Sequence, residues 1–252
     1  MKPGIFLSVR EKATRFPGKV LKPLGGRPLT VFLLERLATS TRADMVVLTT
    51  STDPRDQVLC DLAKAAGFAF FCGSPDDKLL RYRDAARAFE LDYAVIVDGD
   101  DPFVSIEHID RIIAYNAERP TDFTTCGELP LGATGFGLRR EALEEICASR
   151  PEQDTEVWGR LFLDDPRFTC ATLDETDASF RRPGIRMTLD YPEDYDFFTA
   201  VVDGLAAASR TPEFAAIMAF LADRPEIIEI NRGVQEKYEQ HLRQSAAKQG
   251  NA

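Results

Sequence analysis

Histidine and tryptophan are almost missing from this 252-residue chain, which carries only His108, His241 and Trp158. Two histidines argue against a His-rich zinc site and against a Cys/His nucleophilic pair. The five cysteines, Cys60, Cys72, Cys126, Cys147 and Cys170, are odd in number, widely spaced and without a C-x-x-C pair. That pattern reads as reduced thiols packed as small hydrophobes rather than as a disulfide framework. No apolar stretch approaches the roughly 20 residues needed to span a bilayer. The apolar start at residues 5–9 is too short for a signal h-region and runs straight into charges, so a cytoplasmic location is expected. An excess of basic residues is missing too: 31 Lys and Arg stand against 41 Asp and Glu, a formal net charge of -10. A general nucleic-acid binder needs a broad basic face, and this balance argues against one. There is no internal repeat, low-complexity tract or linker, and the length suits one large domain with a full core.

Against that acidic background the first 27 residues stand out. Lys2, Arg10, Lys12, Arg15, Lys19, Lys22 and Arg27 face a single anion, Glu11. A cationic loop with glycine and proline, placed directly after a short apolar strand, suits a polyphosphate, because backbone N–H groups and fixed cations can cradle phosphate oxygens. The loop is not a Walker A sequence: Val20 follows Gly18-Lys19, and Ala13 stands where the first glycine belongs. Nor is it a G-x-G-x-x-G turn. An anion site here requires Arg10, Arg15 and Lys19 to converge; the alternative is a solvated surface loop.

Strand and helix patterns alternate along the first half. Residues 4–9, 45–49, 68–71 and 93–97 read as strands, and 29–40, 57–66, 78–89 and 107–118 as helices, with residues 123–126 strand-like. This β-α repetition predicts a mostly parallel sheet with helices on both faces. Ligands in such sheets sit beyond the carboxyl ends of the strands, which is where loops 10–27 and 98–102 fall. The second half is less regular. Short strands are expected at 132–138 and 168–173, and helices at 140–149, 155–163, following residues 190–194 to about 208, 212–223 and 233–248, with a frayed end at 249–252. The expected organisation is a single domain over 1–252, with a nucleotide-binding half at 1–126, acceptor and dimerisation elements at 127–210 and C-terminal helices at 211–252.

Asp98-Gly99-Asp100-Asp101-Pro102 follows the strand at 93–97. Three carboxylates within four residues repel one another unless a cation is present. Mg²⁺ suits such hard oxygen donors; an acidic turn capping the next segment is the other reading. Asp190, after Met187-Thr188-Leu189, repeats the motif of a carboxylate at a strand end, and either it or Asp194 would serve equally well at the start of a helix.

Taken together, these blocks resemble a family. Arg10-x4-Arg15-x-Pro17-Gly18-Lys19 and Leu24-Gly25-Gly26-x-Pro28-Leu29 look like the signature loop of bacterial sugar cytidylyltransferases: CMP-KDO synthetases, acylneuraminate cytidylyltransferases and the SpsF-type proteins of surface polysaccharide synthesis. The likeness continues in Thr49-Thr50-Ser51-Thr52-Asp53-Pro54 and in Gly73-Ser74-Pro75-Asp76-Asp77-Lys78-Leu79-Leu80-Arg81-Tyr82, which is close to the SpsF-type G-S-x-D-D-V-L-x-R-Y. Gly99-Asp100-x-Pro102 and Arg186-Met187-Thr188-Leu189-Asp190-Tyr191-Pro192-Glu193-Asp194 complete the order. The resemblance implies a three-layer, Rossmann-like α/β nucleotidyltransferase fold of the GT-A kind and a homodimer. It implies that CTP is the nucleotide and Mg²⁺ the cofactor. Arg10, Arg15 and Lys19 would bind the triphosphate and act in catalysis. Ser8, Val9, Gly18, Gly73, Ser74, Asp77, Arg81 and Gly99 would join them in binding the nucleotide. Asp100 and Asp190 would ligate the metal.

The departures fall where an acceptor is expected. SpsF-type proteins often carry P-x-G-x-D-x-E; here Thr134 and Phe136 replace both acids of that segment, and Asp154-Thr155-Glu156-Val157-Trp158-Gly159 stands in place of E-H-V-T. Trp158 reads as packing. Two other functions remain open on the sequence: a glycosyltransferase using Asp98-x-Asp100 as its D-x-D, and a catalytically silent nucleotide-binding or assembly protein.

Overall fold

The computed structural model of the protein describes residues 1–13, 15–151, 155, 158–238 and 240. Strand β1 (Pro3–Ser8) lies in the middle of a seven-stranded sheet, every residue of it buried. It pairs in parallel with β4 (Met45–Ser51) on one side and β6 (Tyr93–Asp98) on the other. Two short strands, β2 (Pro23–Leu24) and β3 (Arg27–Pro28), form a separate antiparallel hairpin within the cationic loop. The sheet continues through β5 (Ala69–Gly73), β7 (Phe123–Cys126), β8 (Phe136–Arg139) and β9 (Cys170–Leu173) in the order β5-β4-β1-β6-β8-β7-β9. Only β8 runs antiparallel to its neighbours. The sheet is therefore mostly parallel, as expected.

Both faces are covered because side chains alternate along each strand. Ile5 and Leu7 of β1 and Val95 and Val97 of β6 enter one core, together with Leu33 and Leu37 of α1 (Leu29–Leu37), Ile109 and Ile112 of α4 (Ile106–Glu118) and Phe197, Phe198 and Val201 of α7 (Pro192–Ala207). The intervening Phe6 and Ile96 face a second core. There they meet Leu79 and Tyr82 of α3 (Lys78–Ala88), Leu143 and Ile146 of α5 (Arg140–Ala148), and Trp158. Helix α2 (Gln57–Ala65) adds Leu59 and Ala63 to the first core. Trp158 packs edge-on against Phe136, at 5.5 Å between ring centroids, and against Tyr82 at 6.0 Å. It is a core residue, as its isolation in the sequence suggested.

Several boundaries differ from those expected, for local reasons. The first helix stops at Leu37 rather than residue 40, because the Ser40 and Thr41 hydroxyls donate to Asp110 at 2.5 and 2.6 Å instead of continuing the turn. The strand expected at 132–138 shrinks to Phe136–Arg139, since Gly132 turns the chain at φ 87°. The helix expected at 155–163 is confined to α6 (Arg160–Leu163) among the described residues, and residues 156–157 lie outside them. Helix α8 begins at Phe214 and ends at Asp223, and a one-turn helix, α9 (Pro225–Ile228), was not anticipated. Of the helix expected at 233–248, residues 234–238 are helical; 241–248 and the expected frayed end at 249–252 lie outside the described residues. The β2–β3 hairpin was also missed. Gly25 and Gly26, at φ 59° and 80°, make its two-residue turn, the left-handed pair that a tight hairpin of this twist requires. No described helix is long and apolar enough to cross a membrane.

Candidate active site

The loop after β1 curls across the carboxyl ends of β1 and β6. Gly18, at φ 70°, leads into a single 3-10 turn, Lys19–Leu21. That turn drives the Lys19 side chain inward, where the residue is only 9 % exposed. Its Nζ donates to the Leu189 carbonyl at 2.5 Å and to Asp100 Oδ2 at 3.1 Å, and lies 3.4 Å from Asp190 Oδ1. One ammonium thus ties the loop after β6 to the segment before α7, two stretches ninety residues apart in the chain. Burial acts to lower the Lys19 pKa, but the Asp100 and Asp190 carboxylates outweigh it and leave it raised. Lys19 is therefore a fixed cation at neutral pH.

Arg15 reaches the same place from the other side, Nη2 donating to Asp190 Oδ1 at 2.5 Å. Arg186 takes the opposite oxygen, Oδ2, at 2.8 Å. With both oxygens engaged by cations, Asp190 is held below the usual carboxylate range: burial pushes its pKa up, and Lys19, Arg15 and Arg186 pull it down further. Arg10 extends along the rim and donates through Nη1 to the Pro75 carbonyl at 2.7 Å, joining the cationic loop to the one before α3.

The acidic loop forms the far wall. Carboxylate oxygens of Asp98, Asp100 and Asp101 lie within 4.8 Å of one another. Asp101 is buried; burial first, then Asp100 and Asp98, pushes its pKa well above the carboxylate range. Asp98 and Asp100 remain open to the cavity, and Lys78 Nζ stands 3.8 Å from Asp98 Oδ1. Gly99 is required at the crossing of the two loops, since a Cβ there would come within 2.7 Å of Val9 Cβ. Its N–H donates to the Ser8 carbonyl at 2.8 Å.

These walls enclose an open cavity of about 340 Å³, within the usual range for small-ligand sites of roughly 300–1,000 Å³. Ser8, Val9, Arg10, Arg15, Lys19, Gly99, Asp100 and Asp190, all singled out from the sequence, line it. Gly18, Gly73, Ser74, Asp77 and Arg81 do not line it. Gly73 leaves room for Arg81, whose Cγ would stand 2.9 Å from a Cβ there. The fully buried Arg81 donates to the Ser74 carbonyl. Asp77 caps α3 through the Leu80 N–H and accepts from Arg150 at 2.8 Å. These four residues shape the loop that carries Asp76 and Lys78 into the wall. Both of those line the cavity, as the resemblance implied for the block 73–81 as a whole, though neither stood among its individual site residues.

The acceptor-side departures are also placed. Phe136 packs on Trp158, and the Thr134 hydroxyl donates to the Gly135 carbonyl, so both replacements are built into the second half of the sheet.

The family model described as Cytidylyltransferase matches residues 5–149, more than half of the chain. The protein belongs to the cytidylyltransferase family. It is accordingly a nucleotidyltransferase, and the glycosyltransferase and silent-binder readings fall away. Among individual relatives, it is 27 % identical over 232 residues to an uncharacterized protein of Methanocaldococcus jannaschii, covering 92 % of this chain and 95 % of the other. It is 29 % identical over 216 residues to the spore coat polysaccharide biosynthesis protein SpsF of Bacillus subtilis, covering 83 % and 89 %. A solved cytidylyltransferase from Leptospira borgpetersenii superposes with a TM-score of 0.79 at 23 % identity, over 90 % of this chain and 97 % of that one, which establishes the shared fold.

The donor set of this cytidylyltransferase fits a divalent metal. Hard carboxylate oxygens converge within one coordination sphere's reach, and those of Asp98 and Asp100 face the cavity. Asp190 stands across the cavity in the grip of three cations, outside that cluster of acids.

Proposed function

We propose that the enzyme transfers a cytidylyl group from CTP to a sugar or related surface-glycan precursor, with Mg²⁺ and release of pyrophosphate. The observation that carries this reading is the Lys19 ammonium fixed between Asp100 and Asp190 on the floor of a cavity rimmed by Arg10 and Arg15. The family supports the cytidylyl group, and the SpsF relative supports a polysaccharide precursor as acceptor.

In the reaction, an acceptor hydroxyl oxygen attacks the α-phosphorus and gives up its proton to water, and the bond to the β-phosphate oxygen breaks. Negative charge grows on the α-phosphate oxygens and on departing pyrophosphate. Lys19, its N–H donors directed at the Leu189 carbonyl, Asp100 and Asp190, stays protonated and sets its positive charge beside those oxygens. Arg15 and Arg10 offer planar donor sets to the outer phosphates. Asp100, with Asp98 beside it, would hold Mg²⁺, which would supply charge neutralisation at the phosphate oxygens, and Asp190 would join them once a cation lets go of one of its oxygens. Donors fixed before the reaction need no reorganisation as charge develops, which makes this electrostatic stabilisation effective. The same reading takes the enzyme as a cytoplasmic homodimer.

The test is to incubate the protein with Mg²⁺, each nucleoside triphosphate and a pool of sugar acids and sugars, following pyrophosphate. Release with CTP and an acceptor, and with no other triphosphate, is the expected result. Release with another triphosphate instead would overturn the choice of base, and acceptor-independent hydrolysis would overturn the transfer.

A further inference from the structure

The C-terminal segment returns to the active site. Asn231, buried to 2 % exposure, donates through Nδ2 to the Arg186 carbonyl at 3.1 Å and to Asp194 Oδ1 at 2.9 Å. Arg186 donates through Nη1 to Gln235 Oε1 at 2.9 Å and through Nε to Asp194 Oδ1 at 3.0 Å. Lys237 pairs with Glu193 at the start of α7, and Val234 is buried. These contacts fix the helical residues 234–238 against the segment that carries Asp190.

The last aromatic side chain of that stretch meets two guanidinium groups. The Tyr238 ring centroid lies 5.4 Å from Arg15 Cζ and 5.5 Å from Arg186 Cζ. Tyr191 adds a longer contact to Arg15, at 5.9 Å. Arg15 otherwise has its Nη2 bond to Asp190, while its buried Nε finds no hydrogen-bond partner among the described residues. Among the described residues, then, one hydrogen bond and two aromatic faces hold the Arg15 guanidinium. An aromatic face attracts a guanidinium and limits the planes it can occupy.

We infer that Tyr238 is a positioning residue for nucleotide binding: its ring holds the Arg15 guanidinium flat at the mouth of the cavity, oriented toward the phosphates of CTP. The inference rests on the reading that Arg15 grips the triphosphate. It makes residues 231–238, remote in sequence from the cationic loop, part of the nucleotide site.

Calorimetric titration with CTP in the presence of Mg²⁺, on the full chain, tests it. Tyr238→Ala is expected to weaken CTP about 5- to 30-fold, the range of a partly desolvated cation–π contact. Tyr238→Phe keeps the ring face and is expected to stay within about 2-fold of the parent. In an Arg15→Ala background, Tyr238→Ala is expected to cost nothing further, because the group it positions is gone. An unchanged affinity in Tyr238→Ala, or an equal loss with and without Arg15, overturns the inference. If Arg15→Ala alone leaves CTP binding unchanged, the reading of Arg15 falls, and the inference with it. Should the alanine variant fold poorly, Tyr238→Leu fills the space without an aromatic face and is expected to show the same loss.

Discussion

The Lys19 ammonium stands 3.1 Å from Asp100 Oδ2, with Asp190 Oδ1 only slightly farther, at 3.4 Å. This contact sets opposite charges side by side in the cavity proposed to take a polyanion and its counterion. Lys19→Ala and Asp100→Asn are each expected to lower turnover at least ~10²-fold, as loss of a preorganised electrostatic group does. Steady-state pyrophosphate release measures both. A Lys19→Ala enzyme within a few-fold of the parent would show that the ammonium is a structural tie between loops and no more.

Gly132 makes a different kind of demand. At φ 87°, a Cβ added to it would stand 2.4 Å from the Met187 carbonyl oxygen and 2.7 Å from Asp101 Oδ1. Met187 and Leu189 lead to Asp190, and the Leu189 N–H donates to the Asp100 carbonyl at 2.7 Å. Gly132→Ala therefore pushes on backbone that cannot yield like a flexible side chain. A cost of about 1–3 kcal/mol in stability is expected from the backbone conformation alone, with lower turnover as the Asp190 segment shifts. Thermal unfolding and turnover should fall together; a variant with parental values of both would show that the segment has slack the geometry denies.

Much of this architecture was legible in the chain. Alternating apolar runs identified β1, β4 and β6 because parallel strands covered on both faces read as continuous hydrophobic stretches. The cationic loop and the Asp98–Asp101 turn were visible as charge, and the cavity does gather Arg10, Arg15, Lys19, Asp100 and Asp190. What was not legible depends on three-dimensional approach. Asp77 and Arg81 carry charge that the resemblance assigned to the nucleotide, yet a helix cap and a buried hydrogen bond to Ser74 engage it inside the wall. Tyr238 lies more than two hundred residues from Arg15, with no spacing rule to connect them. Nor did any local pattern announce that Asp190 would be claimed on both oxygens by Arg15, Lys19 and Arg186.

Away from the cavity, Glu175 is expected to contribute to stability in acid. It is 4 % exposed and pairs with His108 Nε2, with Arg111 Nη1 at 2.9 Å and with the Asp177 N–H at 2.7 Å. Burial raises its pKa, but those partners outweigh burial and bring it down to about 2. A carboxylate depressed in the folded state stabilises fully above its unfolded pKa. That contribution is lost as the pH falls from the usual glutamate value, roughly 4.3, toward 2. Urea midpoints should therefore decline over that interval. Glu175→Gln should be less stable near neutrality, by about 3–5 kcal/mol for a broken buried pair, and should flatten the decline between pH 4.5 and 2. An unchanged acid slope in the variant would assign the acid sensitivity to other carboxylates.

Lys78 is a cation at a position where the SpsF-type pattern that the sequence resembles has valine. Its Nζ stands 3.8 Å from Asp98 Oδ1, its side chain is 12 % exposed, and it lines the cavity beside Asp76. In that position it offsets one charge of the acidic cluster and adds one to the field that a triphosphate meets. Removing the charge while keeping the stem, as in Lys78→Met, should therefore act oppositely on the two ligands. The half-saturating Mg²⁺ concentration should fall, since a competitor for Asp98 is gone. The KM for CTP should rise, by about 3- to 10-fold for a contact of roughly 1 kcal/mol in a partly screened site. Raising the salt concentration should shrink both differences, because an exposed share of each interaction is screened. Mg²⁺ and CTP titrations of turnover, at two ionic strengths, measure all of this. If both constants moved in the same direction, Lys78 would be acting through the shape of the α3 wall rather than through its charge.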